Sequence, residues 1–227
     1  MKLRRVGPAF LVPALLVGLT ACGTLPPGVA SKVNGTEITR DQVAEVSEAQ
    51  CALREELAGT QTVPATSASR ISQESLGLLL DIELTRQFGE DQGIESDPAV
   101  VRSLLTQVEP LFEPLGEADR EVMTEVFQDW AEGRGVLAVA GGEETGQPVA
   151  AAQSEQLINA GLQVREQWLE DADVETDPRY APDKDGFPGG GDGSVSKPTS
   201  DFAKGATAEE VDPAWLSGLP AGQKCGG

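Results

Sequence analysis

The chain has 227 residues, with 17 basic and 37 acidic side chains, no histidine, and a formal net charge of −20. This charge argues against nucleic-acid binding through phosphates, which needs clustered Lys and Arg. The lack of histidine excludes Ser-His-Asp and Cys-His nucleophile systems, a histidine general base and histidine-ligated metal sites.

The first 21 residues have the three parts of an export signal. Basic residues stand at positions 2, 4 and 5, and the apolar stretch 6–19 is too short and too interrupted for a transmembrane helix. The tetrapeptide Leu19-Thr20-Ala21-Cys22 then resembles the lipobox of bacterial lipoprotein signal peptides. That resemblance implies cleavage before Cys22, lipidation of Cys22, and an extracytoplasmic protein held at the cell membrane by its lipid. An ordinary secretory signal that ends near a cysteine is the alternative.

The three cysteines have different predicted fates. If Cys22 carries lipid, Cys51 and Cys225 remain, and an oxidising compartment favours a disulfide between them over two unrelated thiols. In the chain-entropy model, the loop that such a bridge closes is worth roughly 5 kcal/mol at most. Cleavage would also remove three positive charges and no acid, which changes the formal charge from −20 to −23.

A short spacer, 22–31, precedes a predicted β-hairpin. Asn34-Gly35 supplies the two positive-φ positions of a type I′ turn. Thr39 and Gln42 have the spacing of a capping box, and Ile38 and Val43 that of a hydrophobic staple, which together predict a helix start. One face of that helix carries Val43, Val46, Leu53 and Leu57, and Cys51 lies beside it.

Three more helices are predicted in the middle of the chain. The second covers about 71–87, and the third begins at Asp97-Pro98 and covers about 98–108, because Pro110 and Pro114 should break it. The fourth covers about 118–132. The glycine-rich stretch 133–148 predicts a loop.

The last part of the chain predicts a long amphipathic helix, a strand and a tail. The helix covers about 150–171, and the strand 173–177 is stopped by Pro178. Residues 181–227 are rich in Gly, Pro, Ser and Asp, which predicts a disordered or loosely draped tail. Its apolar patch Val211–Leu216 could dock on the body if Cys225 is pinned.

Four segments resemble, in order, the SurA N-terminal domain of extracytoplasmic chaperones and foldases, including the PrsA type. They are Val33-Asn34-Gly35 before Ile38-Thr39-Arg40, Leu79–Leu84, Gly93–Asp97 and Asp173–Tyr180. The resemblance covers about 31–110 and 150–180. It implies a mainly α fold whose small hairpin pairs with a C-terminal strand and whose late helix packs back on the first helices. The chain then divides into signal peptide 1–21, spacer 22–31, helical domain 32–180 and tail 181–227.

The sequence departs from the foldases of this family at one important point. Those proteins carry a parvulin prolyl isomerase domain, with active-site histidines, between the third helix and the returning helix. Here that interval has only about forty residues and no histidine. We therefore expect no enzymatic activity and no cofactor.

The main functional hypothesis is a membrane-anchored, chaperone-like lipoprotein that binds unfolded or exported polypeptides. The alternative is a non-catalytic envelope scaffold with one defined partner. Apolar residues in the inserted region are candidates to line a client groove, although each could equally belong to the core. These candidates are Leu111, Phe112, Val122, Met123, Phe127 and Trp130.

The start of the tail contains part of a calcium-loop motif. Asp183-Lys184-Asp185-Gly186 resembles positions 3 to 6 of such a loop, with Asp192 near its last ligand position. Position 1 is Ala181, however, and the usual final Glu is missing. A glycine-rich acidic tail accounts for the same residues, so we expect no metal site.

Overall fold

The computed structural model describes residues 25–59, 63–150, 153–189, 199–201, 204 and 212–226. It is mainly helical and carries a small three-stranded sheet and a separate pair of short strands, which confirms the predicted fold class. The long helices are α1 (Arg40–Ala58), α2 (Ala68–Gln92), α3 (Pro98–Phe112), α4 (Glu117–Thr145) and α5 (Ser154–Leu169). The strands are β1 (Val29–Val33), β2 (Thr36–Thr39), β3 (Thr66–Ser67), β4 (Val174–Thr176) and β5 (Lys224–Cys225).

The three-stranded sheet is built on the predicted hairpin. Asn34 and Gly35 have φ values of 46° and 95°, so both central residues of the turn occupy the positive-φ region that a type I′ turn requires. β1 lies in the middle and pairs antiparallel with both β2 and β4. The pairing of Val33 with Val174 confirms that the late strand returns to the hairpin. β1 begins at Val29, inside the stretch that the sequence assigns to the spacer.

The start of α1 follows its sequence signals closely. The Thr39 hydroxyl accepts a hydrogen bond from the backbone N–H of Gln42 at 3.2 Å, and the Gln42 side-chain oxygen accepts one from the N–H of Thr39 at 2.8 Å. Ile38 and Val43 are buried in one core cluster. The capping box is confirmed, and the two apolar residues lie where a hydrophobic staple places them.

The prediction that Pro110 breaks α3 is wrong. The helix runs through this proline and ends at Phe112. Pro110 removes the N–H that would bond to the carbonyl of Thr106, but only Leu111 and Phe112 follow it, so the loss is confined to the last turn. Phe112 is only 3% exposed and packs against Met123, which holds the last turn of the helix in place.

The prediction of a loop over residues 133–148 is also wrong for most of that stretch, because α4 continues to Thr145. The glycines there serve close packing. A Cβ added to Gly141 would lie 1.9 Å from the carbonyl oxygen of Leu157 in α5, and one added to Gly135 would lie 2.1 Å from Ser96 Oγ. The helix ends at Gly146, whose φ of 66° suits a left-handed C-cap.

The buried side chains form clusters that join the helices to one another and to the sheet. The first lies between the sheet, α1 and α2, and contains Ala30, Val33, Ile38, Val43, Leu76, Leu80, Leu84 and Tyr180. The second joins α1 to α3 and α4 through Ala49, Phe112, Leu115 and Met123. The third joins α2 to α4 and has residues of α5 packed against it; it contains Phe88, Val136, Leu137 and Ala140.

One carboxylate ties three helices together. Asp81 of α2 accepts hydrogen bonds from Arg134 of α4 at 2.8 Å and from Arg165 of α5 at 2.7 Å. Arg165 also donates to the hydroxyl of Thr85. Since both arginine side chains are mostly buried, each needs this charge-assisted contact to offset its lost hydration.

The predicted disulfide between Cys51 and Cys225 is present. It holds β5 beside β3 and next to α1, and the preceding Leu216 and Leu219 are each 7% exposed. The described stretches 181–189 and 212–226 therefore pack on the body, in contrast to the loosely draped tail that composition predicts. Val211 of the predicted docking patch lies outside the described residues.

Candidate functional site

A groove of about 500 Å³ lies between the second half of α2, the connection to α3, and the middle of α4. Its volume falls within the range of about 300–1,000 Å³ that is usual for ligand sites. The groove combines an apolar floor with a rim of charged side chains. Its lining residues are Ile82, Glu83, Arg86, Gly89, Glu90, Gly93, Ile94, Glu95, Ser96, Asp129, Glu132, Gly133 and Val136.

The end of α2 shapes one wall of the groove. Gly93 adopts a φ of 66°, and its N–H donates to the carbonyl of Glu90, while the N–H of Ile94 donates to the carbonyl of Gly89 at 2.8 Å. This pair of bonds is a Schellman motif, and Ile94 packs against the core cluster that contains Phe88, as the apolar residue after such a motif commonly does. The motif turns the chain back across α4 and brings Ile94 to the floor.

Ser96 fixes the connection against α4. Its hydroxyl donates to the carbonyl oxygen of Glu132 at 2.9 Å, and the absence of a side chain at Gly135 makes room for it. On the opposite wall, Gly133 lets α4 approach Thr85 of α2, where an added Cβ would lie 3.3 Å from Thr85 Cγ2. Close contacts to the backbone of α4 on both sides therefore fix the walls of the groove.

The rim carries five carboxylates and one guanidinium. Arg86 bonds to Glu83 at 2.7 Å and also pairs with Glu90. Burial alone would raise the pKa of Glu83, but hydrogen bonds from Arg86 and Gln87 outweigh it and hold that pKa below its usual range. Arg86 thus offsets one of the two negative charges on this side of the groove.

The opposite side of the rim carries unbalanced negative charge. Burial, followed by the charges of Glu132 and Glu125, raises the pKa of Asp129 above its usual range. Within the described residues, Glu95, Asp129 and Glu132 take part in no ion pair, and Glu132 accepts a hydrogen bond from neutral Gln128 at 2.8 Å. A cation near these three carboxylates would lower their mutual repulsion.

A second groove of similar volume lies on the other side of the Ser96–Glu132 contact, between α3 and α4. The two grooves share these two residues, so they form adjoining parts of one surface. The second groove is more open and more evenly mixed in character. It adds Pro98, Val101, Arg102, Leu105, Thr106, Glu109 and Gln128 to the lining.

The six apolar residues predicted to bind clients lie outside both grooves. Phe112 and Met123 are 3% and 1% exposed and belong to the core, whereas Leu111 is 43% exposed. Val122 and Phe127 are half-buried and pack against the same core cluster. Phe127 also contacts the rings of Phe112 and Trp130, with centroid distances of 5.2 and 5.6 Å. Of the six, Leu111 therefore offers the most free surface.

The remaining predicted sites are placed as follows. Cys22, the predicted lipidation residue, lies outside the described residues. Among the described helices, none is both long enough and apolar enough to cross a bilayer. In the partial calcium loop, Asp183 Oδ1 accepts from the N–H groups of Asp185 and Phe187, each at 2.9 Å. In the described part of the chain, no group of three His, Cys, Asp or Glu side chains is arranged so that it could hold a metal ion.

No sequence pattern predicted the groove, although one signal for its acidic rim is present. Glu125, Asp129 and Glu132 follow a spacing of four and then three residues, which puts three carboxylates on one face of a helix. The Gly93–Asp97 segment was noted only for a family resemblance. Its position across α4 depends on the glycines that were assigned to a loop.

No protein family, no curated protein and no solved structure was found to match this chain.

Proposed function

We propose that this protein is a membrane-anchored, extracytoplasmic, chaperone-like lipoprotein that binds unfolded or exported polypeptides without catalysis. The observation that carries this proposal is the groove between α2 and α4, which offers apolar contacts on a floor framed by rigid helices. Such a surface shields apolar side chains without strict sequence readout. The lipobox supports the location, and the lack of histidine supports a role in binding rather than chemistry.

A scaffold lipoprotein with one defined partner is the second candidate, and one observation favours it. Leu111 is the one large apolar side chain classed as exposed among the described residues, so little apolar surface is available outside the grooves. A general chaperone for long unfolded chains benefits from broad apolar surface, whereas a single partner needs only one well-formed groove.

The two candidates make different predictions in an aggregation assay. The full chain, held in nanodiscs of zwitterionic lipid, is mixed in several-fold excess with clients that aggregate on dilution from denaturant. A chaperone-like protein suppresses light scattering for unrelated clients, whereas empty nanodiscs do not. Suppression of no client would contradict the proposal, and a single stoichiometric partner in a pull-down from envelope extract would favour the scaffold.

Photo-crosslinking tests whether the groove is the binding surface. A photo-reactive amino acid replaces Glu132, which lines both grooves, and in a matched control it replaces the exposed Glu144 at the far end of the same helix. We expect client adducts from position 132 and few from position 144. Equal adducts from both positions would exclude the groove as the preferred site.

A further inference from the structure

We infer that the groove between α2 and α4 binds polypeptide segments in which apolar side chains are flanked by Lys or Arg. This inference rests on the proposed function and names the class of client that the groove selects. Its support comes from the combination of the floor, the rim and the charge of the whole chain.

The floor provides space for apolar side chains. Ile82, Ile94 and Val136 line it, and at Gly93 an added Cβ would meet no atom within 4 Å. The helix end at Gly93 therefore leaves open space at this edge of the groove. Burying apolar side chains of a client there is favourable, because it removes apolar surface from water.

The rim provides charges that a basic segment would complement. Arg86 is already engaged by Glu83 and Glu90, so it offers little attraction to an acidic client. In the described residues, no cation of this chain pairs with Glu95, Asp129 or Glu132. Lys or Arg side chains at the ends of a bound segment could reach these three carboxylates while its apolar residues lie on the floor.

The electrostatic state of Asp129 agrees with this occupant. Its pKa is raised by burial and by the neighbouring Glu132 and Glu125, so its ionised form is less favourable than that of an isolated aspartate. A bound cation would remove part of that penalty. An acidic or neutral segment would instead bring further desolvation without compensation.

The other occupants of such a groove fit less well. A second copy of this chain would bring a formal charge of −20 to a surface that is itself negative. A purely apolar segment would cover carboxylates that then lose water without gaining a partner. Repulsion of acidic segments adds specificity, because it lowers the affinity for acidic clients and requires no additional contact to basic ones.

The test compares three synthetic peptides that share one apolar core and are flanked by Lys, by Ser or by Glu. Their binding to the full chain in zwitterionic nanodiscs is followed by fluorescence anisotropy, with empty nanodiscs as the blank. We expect the Lys-flanked peptide to bind at least about tenfold more tightly than the Glu-flanked one, with a preference that weakens as salt is raised. A fourth peptide, with the Lys flanks and a Ser core, should bind weakly.

Two charge variants locate the preference. Glu95→Gln, Asp129→Asn and Glu132→Gln together remove the unpaired rim charges, and we expect affinity for the Lys-flanked peptide to fall about tenfold. Glu121→Gln, Glu143→Gln and Glu144→Gln remove the same charge from exposed positions of α4 outside the grooves, and should change affinity less than about twofold. Far-UV circular dichroism establishes that both variants are folded.

The outcomes separate this inference from the proposed function. Equal affinity for the three core-sharing peptides, or equal losses in the two variants, would overturn the inference, and the aggregation assay would still judge the proposed function. Lys-selective binding that depends on the rim supports the inference. If such binding came without suppression of any client, the chaperone-like function would be wrong and the groove would belong to a partner-binding scaffold.

Discussion

The backbone of α5 at Gly161 lies so close to α4 that an added Cβ would stand 2.0 Å from the carbonyl oxygen of Leu137. A reciprocal contact exists at Gly141, where an added Cβ would stand 1.9 Å from the carbonyl oxygen of Leu157. Two helices in backbone contact at two points cannot separate at one of them without losing packing at the other.

Gly161→Ala should therefore destabilise the fold by about 2–3 kcal/mol, since the nearest obstacle is backbone and cannot rotate away. Chemical denaturation followed by circular dichroism measures the change. Gly77→Ala is the matched control, because Gly77 also lies inside a long helix but has only Pro188 Cγ at 3.8 Å from the added Cβ. There we expect a gain of up to about 1 kcal/mol from helix propensity. Equal effects at both positions would contradict the packing argument.

Asp81→Asn should destabilise the protein by about 2–3 kcal/mol, because Arg134 and Arg165 would keep their buried positions without a counter-charge. Thermal melts at constant pH provide the measurement. The exposed helical pair Arg70–Glu74 supplies the control, and Glu74→Gln should cost less than about 0.5 kcal/mol. If both substitutions had the same small effect, the Asp81 contacts would not join the three helices energetically.

Reduction of the Cys51–Cys225 bond should lower the free energy of unfolding by about 2–4 kcal/mol. The physical reason in the chain-entropy model is that the unfolded chain regains the freedom of a long loop. Melting temperatures with and without reductant measure the effect, and mass spectrometry after alkylation reports the thiols. The double variant Cys51→Ser, Cys225→Ser should be insensitive to reductant, and a shift in that variant would assign the change to something else.

Asp129 and Glu83 should affect the pH dependence of stability in opposite directions. The pKa of Asp129 is higher in the folded than in the unfolded chain. The protein therefore loses stability as the pH rises from the unfolded-state pKa of this carboxyl group to its folded-state pKa. Asp129→Asn should therefore raise the melting temperature at neutral pH. The corresponding gain in the free energy of unfolding should be less than about 1 kcal/mol, and it should vanish in acid. A gain that persisted below the usual carboxyl range would contradict this assignment.

Glu83 has a lowered pKa, so it contributes stability above its unfolded value that is lost as pH falls through the folded value. Glu83→Gln should lower the melting temperature at neutral pH and match the unmodified protein in acid. NMR titration of the two carboxyl groups in the unmodified protein measures the same shifts directly. If the pKa values of Asp129 and Glu83 shifted in the same direction, the electrostatic contrast between the two sides of the rim would be refuted.

Local signals in the sequence were sufficient for much of the fold. Asn34-Gly35, the Thr39–Gln42 capping box and the helix start at Asp97-Pro98 each act within a few residues, and each predicted its element. The pairing of Cys51 with Cys225 was predicted from the number of thiols and the expectation of an oxidising compartment. These features depend on short-range chemistry, so a single sequence carries them.

The missed features depend on tertiary packing. Gly135 and Gly141 suggest a loop when read alone, but in the fold they permit contact with Ser96 and with the backbone of α5. Pro110 is tolerated because Phe112 is buried against the core. The groove could not be predicted because its walls belong to helices whose extents were wrong in the sequence analysis.

The disulfide also makes the chain a closed covalent ring from Cys51 to Cys225. One proteolytic cut anywhere in that ring leaves every fragment joined to the N-terminal segment. If Cys22 carries lipid, a nicked molecule would stay on the membrane with all of its parts. A single cut within the ring would then release no fragment from the membrane without a second cut or a reductant, so a lipidated chain should resist shedding by cleavage there.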